Sequence, residues 1–198
     1  MLLLRSGLAG ELIDVVRRRQ LILHRADPFD LPSRYAALYL FTIGHNRRVV
    51  SVASGPHPAG QLVVLQYTHK LGASQRWARV AWTLAVLEGA TPRPGALLGV
   101  GIQPIAAGPF SRYRQAPLEG APEPMARWKA FCESARTLRN WLDKGLVGFL
   151  GRQDPLTTWE LRGGLVAGYR PGPVSAPEVD HLLDAVVWLH DLTDRRGA

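Results

Sequence analysis

The side chains best suited to bind a metal ion or to transfer protons are concentrated near the C-terminus. Five of them fall within one predicted helix, at Asp180, His181, Asp184, His190 and Asp191. His181 and Asp184 are neighbours on the helix surface, whereas His190 is nine residues beyond His181 and faces elsewhere. An amphipathic helix often carries such pairs on its polar side, so we interpret the group as a charged, solvent-facing surface. No metal site is predicted.

Local signatures of catalysis and cofactor binding are missing from the sequence. There is no HExxH metal motif, no GxSxG nucleophile elbow and no GxxxxGK[ST] phosphate loop. Gly99 and Gly101 begin a dinucleotide fingerprint that the following residues do not complete. Cys132 is the only cysteine, which excludes an intrachain disulfide, and its apolar neighbours predict a buried thiol. We expect no cofactor and no local catalytic group. A small hydrolase, with an active site assembled from distant segments beside residues 104–124, is kept as an alternative.

The excess of basic residues suggests an anionic partner. Lysine and arginine total 24 against 16 acidic residues, for a formal net charge of +8. Between residues 35 and 90 the only acidic residue is Glu88, and the basic residues there are Arg47, Arg48, Lys70, Arg76 and Arg79. These five basic side chains are the predicted anion-binding candidates. A solvated surface without a binding role would show the same composition.

The clearest β-structure signal lies between residues 61 and 87, which predict two long strands joined by a polar turn. Apolar and aromatic side chains alternate along both arms, at Val63, Leu65 and Tyr67 and then at Val80, Trp82, Leu84 and Val86. A spacing of two residues places side chains on one face of a strand. The linker of residues 70–75 has the small and polar residues of a loop. This hairpin is therefore the predicted centre of the fold.

The remaining elements are predicted on both sides of this hairpin. One domain of 198 residues is expected, with a helix over residues 6–24, a β-meander over 36–103, a Pro/Gly-rich loop over 104–124 and a helix–hairpin–helix unit over 125–194. Within the meander, residues 37–43 and 47–53 predict strands, and residues 90–95 end the central hairpin. Ser134 is a predicted N-cap of a helix that extends to about residue 150, and Ser175 with Glu178 forms a capping-box pattern.

This order of elements favours an α+β fold. We expect a mainly antiparallel sheet, formed by the meander and a C-terminal hairpin, that packs on one face against two or three helices. No apolar run approaches the length of a membrane span, and residues 1–5 are too short for the apolar core of a signal peptide. The sequence therefore predicts a cytoplasmic protein, at most peripheral to a membrane.

A pattern of glycine, proline and aromatic residues extends over most of residues 36–192. It comprises residues 55–60 before the paired strands with Tyr67, Trp82 and Leu84, then residues 92–94, 128–132 and 159–163. This pattern resembles a bacterial, mostly actinobacterial, domain family of uncharacterised function. The resemblance implies a soluble domain that is often tethered behind a membrane segment, which this sequence lacks. It implies no activity and no catalytic residues.

These observations favour a non-catalytic module that binds another protein or an anionic surface. The basic bias of the predicted sheet region, together with the missing catalytic motifs, is the reason for this prediction. Nucleic-acid binding through the basic sheet region is a further alternative, and it would require a continuous arginine surface and steep salt dependence.

Overall fold

The fold is α+β, as predicted. A computed structural model describes residues 7–24, 26–71, 78–102, 104, 108–118 and 125–194. The described helices are α1 (Gly7–Arg18), α2 (Leu31–Arg34), α3 (Tyr39–Thr42), α4 (Ala135–Asp143), α5 (Leu146–Leu150) and α6 (Ala176–Asp194). The described strands are β1 (Ile22–His24), β2 (His45–His57), β3 (Gly60–Leu71), β4 (Ala78–Val100), β5 (Arg114–Ala116), β6 (Trp128–Cys132) and β7 (Thr158–Pro171). All the strand pairings in this part of the chain are antiparallel.

Strand β4 organises the sheet because it pairs along both of its edges. Its first half pairs with β3, and its second half pairs with β6 on the same edge. β7 follows the opposite edge along both halves: Leu84 lies opposite Tyr169, and Leu97 lies opposite Glu160. β1 and β2 extend the sheet beyond β3, and β5 extends it beyond β6. The central hairpin predicted from the sequence is formed by β3 and β4.

β4 and β7 bend together near their middle. The register of their pairing shifts between Glu88 and Ala96, opposite the glycine pair at residues 163 and 164. The two halves of β7 therefore approach each other, and a Cβ atom added at Gly168 would lie 2.4 Å from Cζ3 of Trp159. The sequence predicted these two halves as a hairpin. In the structure both halves pair with β4 instead, because the long β4 strand offers a continuous edge to each of them.

Apolar cores fill both faces of the sheet, whereas the sequence analysis placed helices on one face. On one side, which we call the helix face, α1, α4, α5 and α6 contribute Leu12, Trp141, Phe149 and Leu183 to the core. The opposite face is covered by the short helices α2 and α3 and by residues 108–113, whose buried side chains include Tyr35, Phe41, Phe110 and Tyr113. The expectation failed because short aromatic segments, which carry little periodicity, can cover a sheet as well as long helices do.

Several local predictions are corrected by the structure. Residues 37–43 were predicted as a strand, but residues 39–42 form α3, in which the adjacent Leu40 and Phe41 are both buried. Residues 90–95 were predicted to end the hairpin, but β4 continues through them. Pro92 and Pro94 are exposed there, at the irregular pairing where a missing N–H does not break a regular ladder. The loop predicted over residues 104–124 contains β5, which pairs with β6.

The helix boundaries also differ from the predicted ones. α1 ends at Arg18, and Gln20 has a left-handed φ of 56° that turns the chain into β1. The helix predicted from Ser134 to residue 150 is divided at Gly145, whose φ of +102° disfavours any other residue. Both predicted caps are present: the Ser134 hydroxyl accepts from the Thr137 amide at 3.2 Å, and Oε2 of Glu178 accepts from the Ser175 amide at 2.7 Å. None of the helices in the described ranges is both long and apolar enough to cross a membrane.

Candidate anionic-surface interface

Three of the five predicted anion-binding side chains lie on one face at one end of the sheet. Lys70 on β3 is directly opposite Arg79 on β4, and Arg48 on β2 is opposite Thr68. Opposite residues of an antiparallel pair share a face, as do residues two apart on one strand. Arg48, Lys70 and Arg79 therefore lie together on the helix face, and we call these three residues the basic end. Arg76 lies outside the described residues.

The helices leave the basic end uncovered. Along β3, the residues that face the helices are buried at Leu62 and Val64, but Thr68 and Lys70 are partly exposed. Arg48 and Arg79 on the neighbouring strands are exposed. Strands β2, β3 and β4 thus project beyond the helix layer. On the projecting part, the helix face carries polar and charged side chains, namely Arg48, Thr68, Lys70 and Arg79. This projection is why the basic end is accessible to a partner.

Arg47 lies on the other side of the sheet. Its guanidinium donates a hydrogen bond to the Gly44 carbonyl at 3.2 Å. Its charge acts on His69, where burial first, and then the charges of Arg47 and His45, lower the pKa of the imidazole. Arg47 therefore belongs to the face of Tyr67 and His69 rather than to the basic end.

Behind the basic end lies a buried aromatic row that sequence analysis did not identify as a unit. The ring centroid of His69 is 5.6 Å from that of Tyr67 and 6.2 Å from that of Trp82. The Tyr67 hydroxyl, both His69 ring nitrogens and the Trp82 indole nitrogen are buried without a hydrogen-bond partner. Burial raises the pKa of Tyr67 to about 12. The sequence signal that could have identified this row is the two-residue spacing of Tyr67 and His69, which alternate with more exposed positions. This row packs against the strands that carry the basic end, on the opposite face of the sheet.

Electrostatics make the basic end attractive to anions. Residues 35–87 contain no acidic residue. The charged side chains of β2, of β3 and of β4 as far as residue 87 are therefore all positive. Grouped cations attract an anionic surface over about one Debye length, roughly 8 Å at physiological salt. Two apolar side chains of the same strands are exposed as well, Val50 at 57% and Leu71 at 40%. The projecting strands thus expose charge together with apolar area, with Leu71, next to Lys70 on β3, on the face opposite the basic end.

Much of the histidine and aspartate group of α6 faces solvent, as predicted: His181, Asp184 and Asp191 are exposed, and His190 is buried. Asp180 and Asp184 also bind the residue that follows α1: Nε of Arg19 is 3.0 Å from Oδ1 of Asp180, and its Nη1 is 2.6 Å from Oδ1 of Asp184. These carboxylates raise the pKa of Arg19. His181 is hydrogen-bonded to Gln153, at 3.1 Å from Nε2 to Oε1. The ion pairs with Arg19 add to this exposed surface, and they arise from a contact between α1 and α6 that sequence spacing does not reveal.

Cys132 is buried, as the sequence predicted, and burial raises the pKa of its thiol. A buried thiol with a raised pKa is a poor nucleophile because the thiolate is the reactive form. The residue packs on the helix face with the other side chains of that core.

Comparison with known proteins identifies a relative in fold. No family model matches the chain, and no curated protein does. Among solved structures, the chain is similar to the mycobacterial trehalose monomycolate transport factor A, TtfA, with a TM-score of 0.70. The two proteins share a fold. The similarity covers 96% of this chain and 96% of that chain at 12% sequence identity. TtfA comes from an actinobacterium, in agreement with the actinobacterial resemblance of the sequence.

Proposed function

We propose that this protein is a non-catalytic binding module that docks through its basic end onto an acidic surface of a partner protein. The observation that carries the proposal is the convergence of Arg48, Lys70 and Arg79 on a part of the sheet that no described helix covers. Exposed charges of one sign favour electrostatically steered association with a complementary surface.

Two further observations support a protein as the partner. Val50 is exposed two residues beyond Arg48 on the projecting strand β2, and protein interfaces combine such apolar contacts with a charged rim. The fold relative TtfA is named a transport factor, and its similarity extends over nearly the whole of both chains. A role in transport, as that name states for TtfA, is compatible with a binding module. A cytoplasmic location, which the single cysteine favours, is part of this proposal.

The test compares two double charge reversals in a pull-down from lysate of the native organism. Arg48→Glu with Arg79→Glu changes the basic end, and the matched control, Arg127→Glu with Arg136→Glu, reverses two exposed arginines elsewhere. We expect the wild type and the control to capture the same protein in the presence of nuclease, and the basic-end variant to lose it. Capture should weaken as salt is raised.

Three outcomes would contradict the proposal. Equal capture by all three proteins would place the interface away from the basic end. Loss of capture after nuclease treatment would replace the acidic protein by a nucleic acid. Co-sedimentation with vesicles that contain anionic lipid, but not with neutral vesicles, would replace it by a membrane surface.

A further inference from the structure

A histidine adjoins the basic end on the same face of the sheet. His45, the first residue of β2, lies directly opposite Lys70 on β3, and Lys70 lies directly opposite Arg79 on β4. Opposite residues of antiparallel strands share a face, with their Cβ atoms about 5 Å apart. His45, Lys70 and Arg79 therefore form one row across the projecting strands, which we call the terminal row.

The terminal row is open to solvent at His45. This side chain is exposed, and β1, the described strand on the outer edge of β2, pairs only with residues 52–54. The chain leaves that edge after β1, where the Asp27 carboxylate accepts from the amides of Phe29 and Leu31 at the start of α2. A partner that contacts Lys70 and Arg79 would therefore also contact His45.

The strands around His45 provide no negative charge. The titratable and charged side chains near it on β2, β3 and β4 are Arg47, Arg48, His69, Lys70 and Arg79. Residues 35–87 contain no acidic residue, and the next one, Glu88, lies opposite Gln61 at the other end of β3. Within these strands, a protonated His45 has only cations and the buried, opposite-facing His69 around it. The carboxylates that would favour its charge have to come from a partner.

We propose, on the basis of the function proposed above, that His45 makes docking at the basic end pH-dependent, with the acidic partner bound more tightly when His45 is protonated. Histidine is the side chain whose charge changes between about pH 5 and about pH 8. Protonation raises the positive side chains of this site from three, the basic end, to four. By reciprocity, binding of an acidic partner favours proton uptake at His45. Affinity therefore falls as the pH rises.

The expected change in affinity is graded rather than all-or-none. An exposed ion pair contributes little, so one added charge should strengthen binding about three- to fivefold at low ionic strength. Salt screens exposed charges, so the pH effect should shrink as salt is added. His45 would thus tune an attraction that Arg48, Lys70 and Arg79 provide.

The test measures binding of a polyaspartate peptide labelled with tetramethylrhodamine, because its carboxylates stay ionised between about pH 6 and about pH 8. Fluorescence anisotropy at low salt gives the affinity of the full chain at both pH values. We expect the wild type to bind about three- to fivefold more tightly at the lower pH. His45→Gln should bind at both pH values as the wild type does at the higher one. His45→Lys, which is charged throughout, should bind at both as the wild type does at the lower one.

The matched control is His57→Gln, which removes a histidine from the opposite end of β2 and should keep the pH dependence of the wild type. Equal wild-type affinity at both pH values, a pH dependence that His45→Gln retains, or equal binding by His45→Lys and His45→Gln would overturn the role of His45 and leave the proposed function intact. The proposed function itself fails, and this role with it, if the wild type does not bind the peptide or if Arg48→Glu with Arg79→Glu binds it as tightly.

Discussion

Charged side chains are used in opposite ways at the basic end and at the bend of β4 and β7. At the basic end, Arg48 and Arg79 are exposed on strands that project past the helices. At the bend, the Arg93 side chain is only 3% exposed and Glu160 is completely buried. Exposed charges contribute little to stability and are available to a partner, whereas buried charges depend on the few groups around them. Substitutions at the bend should therefore change the stability of this fold, and substitutions at the basic end should change its binding to a partner.

Glu160 shows how demanding the bend is. Its Oε2 accepts from the Tyr39 amide at 2.8 Å and lies 3.3 Å from the Tyr169 hydroxyl, but its Oε1 has no hydrogen-bond partner. Burial raises the pKa of this carboxyl group to about 8, against its ordinary value of 4.5, although the Tyr39 amide opposes the shift. The folded protein therefore holds a proton on Glu160 at neutral pH that the unfolded chain releases.

The largest predicted effect is a pH dependence that comes from this proton. Because the pKa of the folded state is raised, the stabilising contribution of Glu160 should be complete below about pH 4.5 and should fall by about 1.4 kcal/mol per pH unit up to about pH 8. Glu160→Gln keeps the shape and removes this titration, so its stability should no longer fall as the pH rises and should keep only the smaller, opposite dependence expected from His69. Urea denaturation at several pH values measures both curves.

The control for this prediction is Asp143→Asn, which removes an exposed carboxylate from the end of α4. Its curve should remain as steep as that of the wild type. A wild-type curve that is flat between about pH 5 and about pH 8 would show that Glu160 is ionised in the folded protein.

The next largest effect concerns Arg93, whose guanidinium is 3.2 Å from Oδ1 of Asp194 at the end of α6. Asp194→Ala would leave a buried cation without its carboxylate and should cost about 3 kcal/mol. The double variant Asp194→Ala with Arg93→Met also removes that cation. It should recover most of the loss, because an apolar side chain of similar length suits the buried site. Thermal denaturation of the two variants and the wild type tests this order. Equal stability of the single variant and the wild type would show that Arg93 is hydrated.

A smaller effect, of opposite sign to that of Glu160, is expected from His69. Burial and the charges of Arg47 and His45 lower its pKa below 6.5, so the folded protein binds the proton less readily than the unfolded chain does. Stability should therefore fall as the pH decreases below about 6.5. His69→Phe retains an aromatic ring and should abolish this decrease. Measurements in the Glu160→Gln background separate the two titrations, and an unchanged decrease in His69→Phe would assign it to another group.

The sequence identified the central elements of this fold because their side chains alternate or recur at helical spacing. The β3–β4 hairpin, the Ser134 cap and the Ser175–Glu178 capping box all depend on local patterns. The bend was not predicted, since it requires β4 to pair with β7 across more than sixty intervening residues. α3 was assigned to a strand because its four residues are too few to show a helical period.

The same distinction applies to the candidate sites. Arg48, Lys70 and Arg79 were found from composition alone, and the register of three neighbouring strands places them together. Arg47 was assigned to the same set, but the irregular pairing between His45 and Arg48 separates it from the others. The cavity between β7 and α6 was not predicted. Its lining residues Arg152, Trp159 and Arg170 come from a loop and from both halves of the bent strand β7. No local motif connects such positions.

The smallest predicted change in stability belongs to the basic end, and it completes the contrast with the bend. Arg48→Glu with Arg79→Glu alters exposed side chains only, so the free energy of unfolding should change by no more than about 0.5 kcal/mol. The same variant should lose partner binding in the pull-down described above. A charge at a solvated surface is neutral for folding because water stabilises it in both states, and it becomes valuable only against an opposite charge. A large loss of stability in this variant would mean that the two arginines support the fold, and the contrast between the two regions would fail.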